Sequence, residues 1–143
     1  MGKLSRTKGA NFERSVARRM NVVQLGSADF ARVTSETQEG NAGDVKDRND
    51  YIPLVIQCKH RAKINVNEAV READAAVALK MFRGRTYSAI PVAWCRWQGG
   101  QEIVAMRPEH FFQLLFAAHD ALGDEISSYP WYLVTEGEEV PDE

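Results

Sequence analysis

An aspartate, a glutamine and a lysine stand at positions of this sequence from which one hairpin can bring them together. Asp44 precedes a short run that turns at residues 49–50, and Gln57 and Lys59 end the apolar strand that follows. Side chains of a strand alternate between its two faces, so Gln57 and Lys59 share a face. Antiparallel pairing across the turn places Asp44 opposite residues 55–57. We therefore expect a carboxylate, an amide oxygen and an ammonium group to converge.

These three groups suit the hydrolysis of a phosphodiester. A hard cation such as Mg²⁺, or Mn²⁺ in its place, takes oxygen ligands, commonly one or two carboxylates together with water and substrate phosphate oxygens. Asp44 supplies charge and Gln57 a neutral carbonyl oxygen, while Lys59 can orient the attacking water and offset charge that develops at phosphorus. Taken singly, Gly-Asp is a common turn pair and a lysine at a strand end extends to water. The hypothesis rests on the conjunction of the three.

The same residues resemble a nuclease signature. Residues 43–44, reading Gly-Asp, and residues 55–59, reading Val-Ile-Gln-Cys-Lys, are similar to the core motif of the PD-(D/E)xK nucleases, in the variant with Gln in place of the second acid. Residues 8–13, reading Lys-Gly-Ala-Asn-Phe-Glu, resemble the start of the archaeal-type Holliday junction resolvases and their phage relatives. The resemblance covers residues 6–85. It departs from the family pattern in lacking a proline before the acid and in having an amide for the second acid.

The resemblance implies a restriction-endonuclease-like core, in an α/β or α+β domain whose mixed β-sheet is flanked by helices. It implies a Mg²⁺-dependent endonuclease of a phage or bacterium that cuts branched DNA such as a four-way junction. The catalytic residues would be Glu13, Asp44, Gln57 and Lys59, and the first three would hold the metal. On residue type alone, Glu13 would be an ordinary solvated helix residue. Because a resolvase cuts two strands symmetrically, the resemblance also implies a homodimer.

Two alternatives stay open. Residues 56–59, reading Ile-Gln-Cys-Lys, are also similar to the motif of Mrr-type restriction nucleases, which favours a restriction or repair endonuclease acting on duplex DNA. The second alternative is a DNA-binding module that keeps the fold without cleaving, because Gln in place of an acid removes a formal charge from the metal site. Metal binding and a comparison of junction with linear DNA would separate these functions.

Charge is divided unevenly along the chain. Residues 1–85 hold 16 Lys and Arg against 10 Asp and Glu, whereas residues 86–143 hold 2 against 10. The basic part contains the motif, as expected where phosphates dock, although a solvated face with an acidic tail would have the same composition. The residues that we predict to contact DNA are Lys3, Arg6, Lys8, Arg14, Ser35, His60 and Arg61.

The spacing of apolar residues predicts the elements that must position the site. They are a flexible basic arm over residues 1–7, helices over 8–22, 66–82 and 108–122, strands over 28–33, 89–97 and 102–106, and a hairpin over 44–59. Residues 1–135 would form one nuclease domain and residues 136–143 an acidic tail. No window is apolar enough to span a membrane, which favours a cytoplasmic protein. The stripe Ala69, Ala73 and Ala76 on the second helix permits close approach and is compatible with a dimer face.

Overall fold

The computed structural model of the protein describes residues 3–34, 43–49, 51–82 and 89–128. Within these residues the helices and strands follow the predicted order and form a mixed α/β architecture. The elements are α1 (Lys3–Val22), β1 (Phe30–Arg32), β2 (Val45–Asp47), β3 (Leu54–Arg61), α2 (Val66–Phe82), β4 (Ile90–Trp97), β5 (Glu102–Ala105), α3 (Pro108–Leu122) and a short 3-10 helix (Gly123–Ser128). No helix among the described residues is long and apolar enough to cross a lipid bilayer.

The strands of the described residues form one five-stranded mixed sheet with the order β1-β2-β3-β4-β5. The first three strands are successive antiparallel neighbours, and β4 and β5 are also antiparallel. The central pair, β3 and β4, is parallel over eight residues, from Leu54 opposite Ile90 to Arg61 opposite Trp97. A parallel pair needs a crossover connection, and α2 supplies it. The predicted hairpin and the later strand pair are thereby confirmed.

The two longer helices that precede β4 pack on opposite faces of the sheet. On one face, α1 buries Phe12 and Val16 against Phe30, Val45 and Ile56. These α1 residues are four apart, so they lie on one side of the helix. The neighbouring strand residue Val55 points to the other face, where it packs with side chains of α2. The central strand β3 is therefore covered on both sides, apart from its polar end.

The first helix is longer than the sequence predicts. It begins at Lys3 rather than near residue 8, so residues 3–7 of the predicted arm belong to the helix. The run over residues 3–11 contains only one glycine and no proline, which leaves helix propensity unopposed near this terminus. The basic residues Lys3, Arg6 and Lys8 therefore belong to α1.

The alanine stripe of α2 is not a free dimer face. Ala69, Ala73 and Ala76 are each at most 1% exposed. Ala69 packs with Ala93 of β4, and Ala76 packs in the cluster that contains Val55 of β3. The expectation that this stripe could serve a dimer was wrong, because small side chains are what allow α2 to lie close to its own sheet. Asn65 caps the helix by accepting a hydrogen bond from the N–H of Glu68 at 3.1 Å.

Asp47 at the end of β2 organises the turn between β2 and β3. Its side chain is 1% exposed, and its two carboxylate oxygens accept four backbone N–H groups. The donors, at 2.8 to 2.9 Å, belong to Asp29, Asn49, Tyr51 and Ile52. Burial alone would raise the pKa of Asp47, but the four donors outweigh burial and lower the pKa from its usual value of 3.8. Backbone N–H groups thus stabilise this buried charge.

We expect Asp47→Ala to lower the free energy of unfolding by at least about 3 kcal/mol, because several buried N–H groups lose their acceptor. Urea denaturation at neutral pH measures this. Since the folded pKa is depressed, the stabilisation from Asp47 is present above pH 3.8 and is lost as the pH falls through the folded pKa. Asp29→Asn, which removes only the exposed pair with Arg48, is the control and should cost less than about 1 kcal/mol. Equal losses for the two variants would contradict the assignment.

Candidate active site

Asp44 lies where β2 meets β3. Its N–H donates to the carbonyl of Ile56 at 2.9 Å, and one of its carboxylate oxygens accepts the N–H of Cys58 at 2.8 Å. Gly43 makes this approach possible, since it has a φ of +81° and a Cβ at this position would lie 2.6 Å from the Val55 side chain. The predicted placement of Asp44 opposite residues 55–57 is therefore confirmed. The acid is held by the backbone of the strand that carries Gln57.

Gln57 and Lys59 share the face of β3 that α2 covers. The Lys59 ammonium lies 2.5 Å from the carboxylate of Glu72 on α2, and the Gln57 amide nitrogen donates to the same oxygen at 3.4 Å. The Lys59 side chain is 14% exposed and that of Glu72 38% exposed. The lysine is thus sheltered and has an acidic partner, and it is not a strand-end residue that extends into water.

Glu13 approaches from α1, on the other face of the sheet. Its carboxylate pairs with Arg32 of β1 at 2.6 Å, and the two side chains are 18% and 29% exposed respectively. β1 is the neighbour of β2, so this pair stands beside the strand that leads from Asp44. Glu13 is therefore near the other candidate residues, but it is engaged by an arginine that the sequence did not single out.

The pKa of Asp44 is shifted by burial and by the charges around this residue. The pKa is raised from 3.8 to about 6, chiefly by burial, and the N–H of Cys58 opposes this rise. The negative charges of Glu13 and Glu72 contribute to the rise, while the positive charge of Lys59 opposes it. Charges on both faces of the sheet thus act on one carboxyl group. Such a group gains from a cation placed beside it, because it is then easier to ionise.

The donors at this place fit a hard divalent cation in chemical type. They are carboxylate and amide oxygens, which Mg²⁺ and Mn²⁺ bind, and the half-buried Asp44 accepts the backbone N–H of Cys58. Within the described residues, no three His, Cys, Asp or Glu side chains are gathered closely enough to form a metal site by themselves. Arg32 and Lys59 hold the two flanking glutamates instead. A cation would therefore have to draw on Gln57, on water or on rearranged glutamates.

The predicted DNA contacts fall into three groups. Arg61 is exposed at the end of β3, and Arg14 is exposed on α1, where it donates to Asn11 at 3.0 Å. Lys8 is half-buried, and the ring of His60 packs 5.0 Å from that of Phe12, which makes His60 part of the contact between α1 and β3. The remaining predicted contacts, Lys3, Arg6 and Ser35, lie outside the side chains that the structure describes.

Sequence reasoning missed Glu72 and Arg32. Glu72 was within reach of pattern analysis, since it stands three residues after Ala69 and four before Ala76 and so borders the buried stripe of α2. At the border of the buried stripe of α2, Glu72 lies beside β3, the strand that precedes this helix. Arg32 carried no comparable signal, because one arginine in a three-residue strand has many ordinary explanations.

Comparison with protein-family models, with curated proteins and with solved structures yields no match to this chain.

Removing the ionisable group at position 44 should stabilise the protein in the absence of metal. The folded pKa of about 6 exceeds the usual 3.8, so the wild type loses stability as the pH rises between those values and does not recover it above pH 6. Asp44→Asn keeps an acceptor for Cys58 without this loss, and we expect it to be about 1 to 3 kcal/mol more stable at pH 8. Urea denaturation in EDTA at pH 4.5 and pH 8 measures the difference, which should shrink at the lower pH. Identical pH dependence of the two proteins would contradict the environment assigned to Asp44.

Proposed function

We propose that the protein is a metal-dependent endonuclease of the PD-(D/E)xK type with a restriction-endonuclease-like core. The observation that carries the proposal is the hydrogen-bonded approach of the half-buried Asp44 to the strand that bears Gln57 and Lys59. An acid with a pKa near 6 beside a sheltered lysine is the kind of perturbed pair that marks functional sites. The order of residues and the position of Glu13 on the first helix agree with the resemblance.

In this proposal Asp44, Gln57 and Glu13 would hold Mg²⁺ or Mn²⁺, which supplies Lewis acidity toward a phosphate oxygen when bound. Lys59 orients the water that attacks phosphorus, and the bond from phosphorus to the 3′ oxygen breaks. Glu72 fixes the lysine side chain, so that little conformational entropy remains to be lost when the substrate binds. Arg32 must release or share Glu13 for that residue to act as a ligand.

Branched DNA is the proposed substrate because of the resemblance of residues 8–13 to resolvases. The exposed Arg14 and Arg61 support a DNA surface beside the site, since cations near phosphates supply much of the affinity. A cleavage assay that compares a four-way junction with linear, nicked and flapped DNA tests the substrate. Preference for linear duplex would favour the restriction or repair endonuclease. Binding without any cleavage would favour the non-catalytic module, for which the amide at Gln57 and the engagement of Glu13 by Arg32 are the supporting observations.

We expect Lys59→Ala to lower the rate of Mg²⁺-dependent cleavage at saturating protein by roughly 100-fold or more, because the variant lacks the positive charge at the transition state. Junction affinity should change little, since it comes mainly from the basic surface. Lys63→Ala is the matched control, because Lys63 is exposed just beyond β3, and its cleavage rate at saturation should equal that of the wild type. Gel-based single-turnover cleavage measures both. A Lys59→Ala variant that cuts at the wild-type rate would refute the proposed site.

We propose further that two copies of the chain pair through α3 and β5. None of the side chains of α3 is buried among the described residues, although the helix is strongly apolar. The large apolar side chains exposed on the two elements are Ile103, Val104, Phe111, Phe112, Leu114, Leu115 and Phe116. The five on α3 are 36% to 70% exposed, and an apolar helix surface of this kind marks a site that a partner covers.

A second copy suits this surface because cutting both strands of a symmetric junction requires two sites related by a twofold axis. The proposal also replaces the α2 stripe, which is buried against its own sheet, as the dimer face. Residues 129–143, which lie outside the described residues, are the competing occupant. Light scattering across a range of protein concentrations distinguishes a dimer from a monomer that covers its own helix.

The double variant Phe112→Glu and Phe116→Glu should convert the dimer into a monomer. The two side chains are 53% and 70% exposed and stand one helical turn apart, so the change places two charges in the centre of the proposed interface. Gln113→Glu, which adds one charge to another exposed position of the same helix, should leave the dimer intact. Molar mass from light scattering measures the outcome. A wild-type protein that is monomeric at every concentration would reject the second copy as the partner.

A further inference from the structure

The amide at position 57 leaves the proposed metal site short of charge. In the resemblance, the second acid of the motif occupies the place of Gln57, so the strand β3 offers a neutral oxygen where a carboxylate is usual. Mg²⁺ is commonly held by one or two carboxylates with water and phosphate oxygens. Glu13, the other candidate acid, is 2.6 Å from Arg32 and is partly neutralised by it. A second free carboxylate is therefore the missing element of the site.

We infer that Glu72 of α2 supplies the carboxylate that β3 lacks, and that it acts with Asp44 as a ligand of the divalent cation. This inference rests on the proposed function. One oxygen of Glu72 already contacts the two candidate side chains of β3, at 2.5 Å from the Lys59 ammonium and 3.4 Å from the Gln57 amide nitrogen. Glu72 thus places a carboxylate beside the side chain of residue 57, where the motif that the sequence resembles has its second acid.

The packing of α2 explains how a residue of a helix reaches the strand. Ala69, Ala73 and Ala76 are buried against the sheet, which brings the helix axis close to β3 and β4. Glu72 lies on the border of that stripe, so its side chain runs along the sheet surface toward Gln57 and is not directed straight into solvent.

The competing explanation is that Glu72 serves only as the ion-pair partner of Lys59. A pair with one partner 38% exposed contributes little to stability, and its removal would leave the affinity for metal unchanged. The ligand role, in contrast, explains why Glu72 also contacts Gln57, which is itself a proposed ligand. Exchanging the carboxylate and the amide between the two positions separates the explanations. The double variant Gln57→Glu with Glu72→Gln keeps the total charge and both side-chain lengths.

The experiment is a titration of full-length, DNA-free protein with MnCl₂ or MgCl₂ by calorimetry, with junction cleavage as a second readout. We expect Glu72→Gln to weaken metal affinity by about 10-fold or more, and the exchange variant Gln57→Glu with Glu72→Gln to return to within about threefold of the wild type. Glu68→Gln is the matched control, since it removes the same charge from an exposed position one turn earlier on α2, and its affinity should be that of the wild type. Circular dichroism and melting temperature verify that each variant is folded.

Three outcomes would overturn the inference. If Glu72→Gln binds metal as the wild type does while Asp44→Asn does not, the proposed function stands and Glu72 is only the partner of Lys59. If Glu72→Gln is weakened but the folded exchange variant stays equally weak, the carboxylate at residue 72 does not replace the one missing at residue 57. If the wild type and Asp44→Asn show the same negligible metal affinity and neither cleaves DNA, the proposed function fails and the inference fails with it.

Discussion

A single hydrogen bond, from the backbone N–H of Cys58 to the carboxylate of Asp44, sets where the candidate site lies. In a regular antiparallel ladder that N–H would donate to a backbone carbonyl of the neighbouring strand. Here a side chain takes the place of the carbonyl, and Gly43 permits the close approach that this requires. The acid is consequently fixed to the backbone of the same strand that carries Gln57 and Lys59. Precise placement of a functional group on a rigid element needs this kind of support.

Two aspartates that are three residues apart in the chain have opposite environments and opposite pKa shifts. Asp47 is surrounded by four N–H donors, so its charge is fully satisfied and its pKa is lowered. Among the described residues Asp44 receives one such donor, and burial, with the repulsion of Glu13 and Glu72, raises its pKa to about 6. The carboxylate of Asp47 would therefore gain little from binding a cation. That of Asp44 is held in an unfavourable state that a cation would relieve, which is a cost that a purely structural residue would not carry.

The sequence was sufficient for the features that depend on local pattern. The period of two in residues 54–59 predicted the shared face of Gln57 and Lys59, and the turn near residues 49–50 predicted the approach of Asp44, because both follow from strand geometry. Helix starts at Val66 and Pro108 were likewise readable from a capping asparagine and an N-terminal proline. The sequence did not predict which residues of distant elements pair with the candidate site residues. The pairing of Glu13 with Arg32 depends on how α1 lies across the sheet, and nothing local to either residue encodes that angle.

The buried stripe of α2 shows why an apolar pattern alone does not identify a partner. Small residues in a row predict close approach, but they fit a second chain and the chain's own sheet equally well. The parallel pairing of β3 and β4 decides between them, since the crossover helix must cover the strands that it connects. Once Ala69, Ala73 and Ala76 lie against the sheet, the border position of Glu72 is determined by the helical repeat. The packing of α2 against its own sheet, which removes this helix from a dimer interface, thus also brings a carboxylate to Lys59 and Gln57. The candidate site is a consequence of how the fold packs.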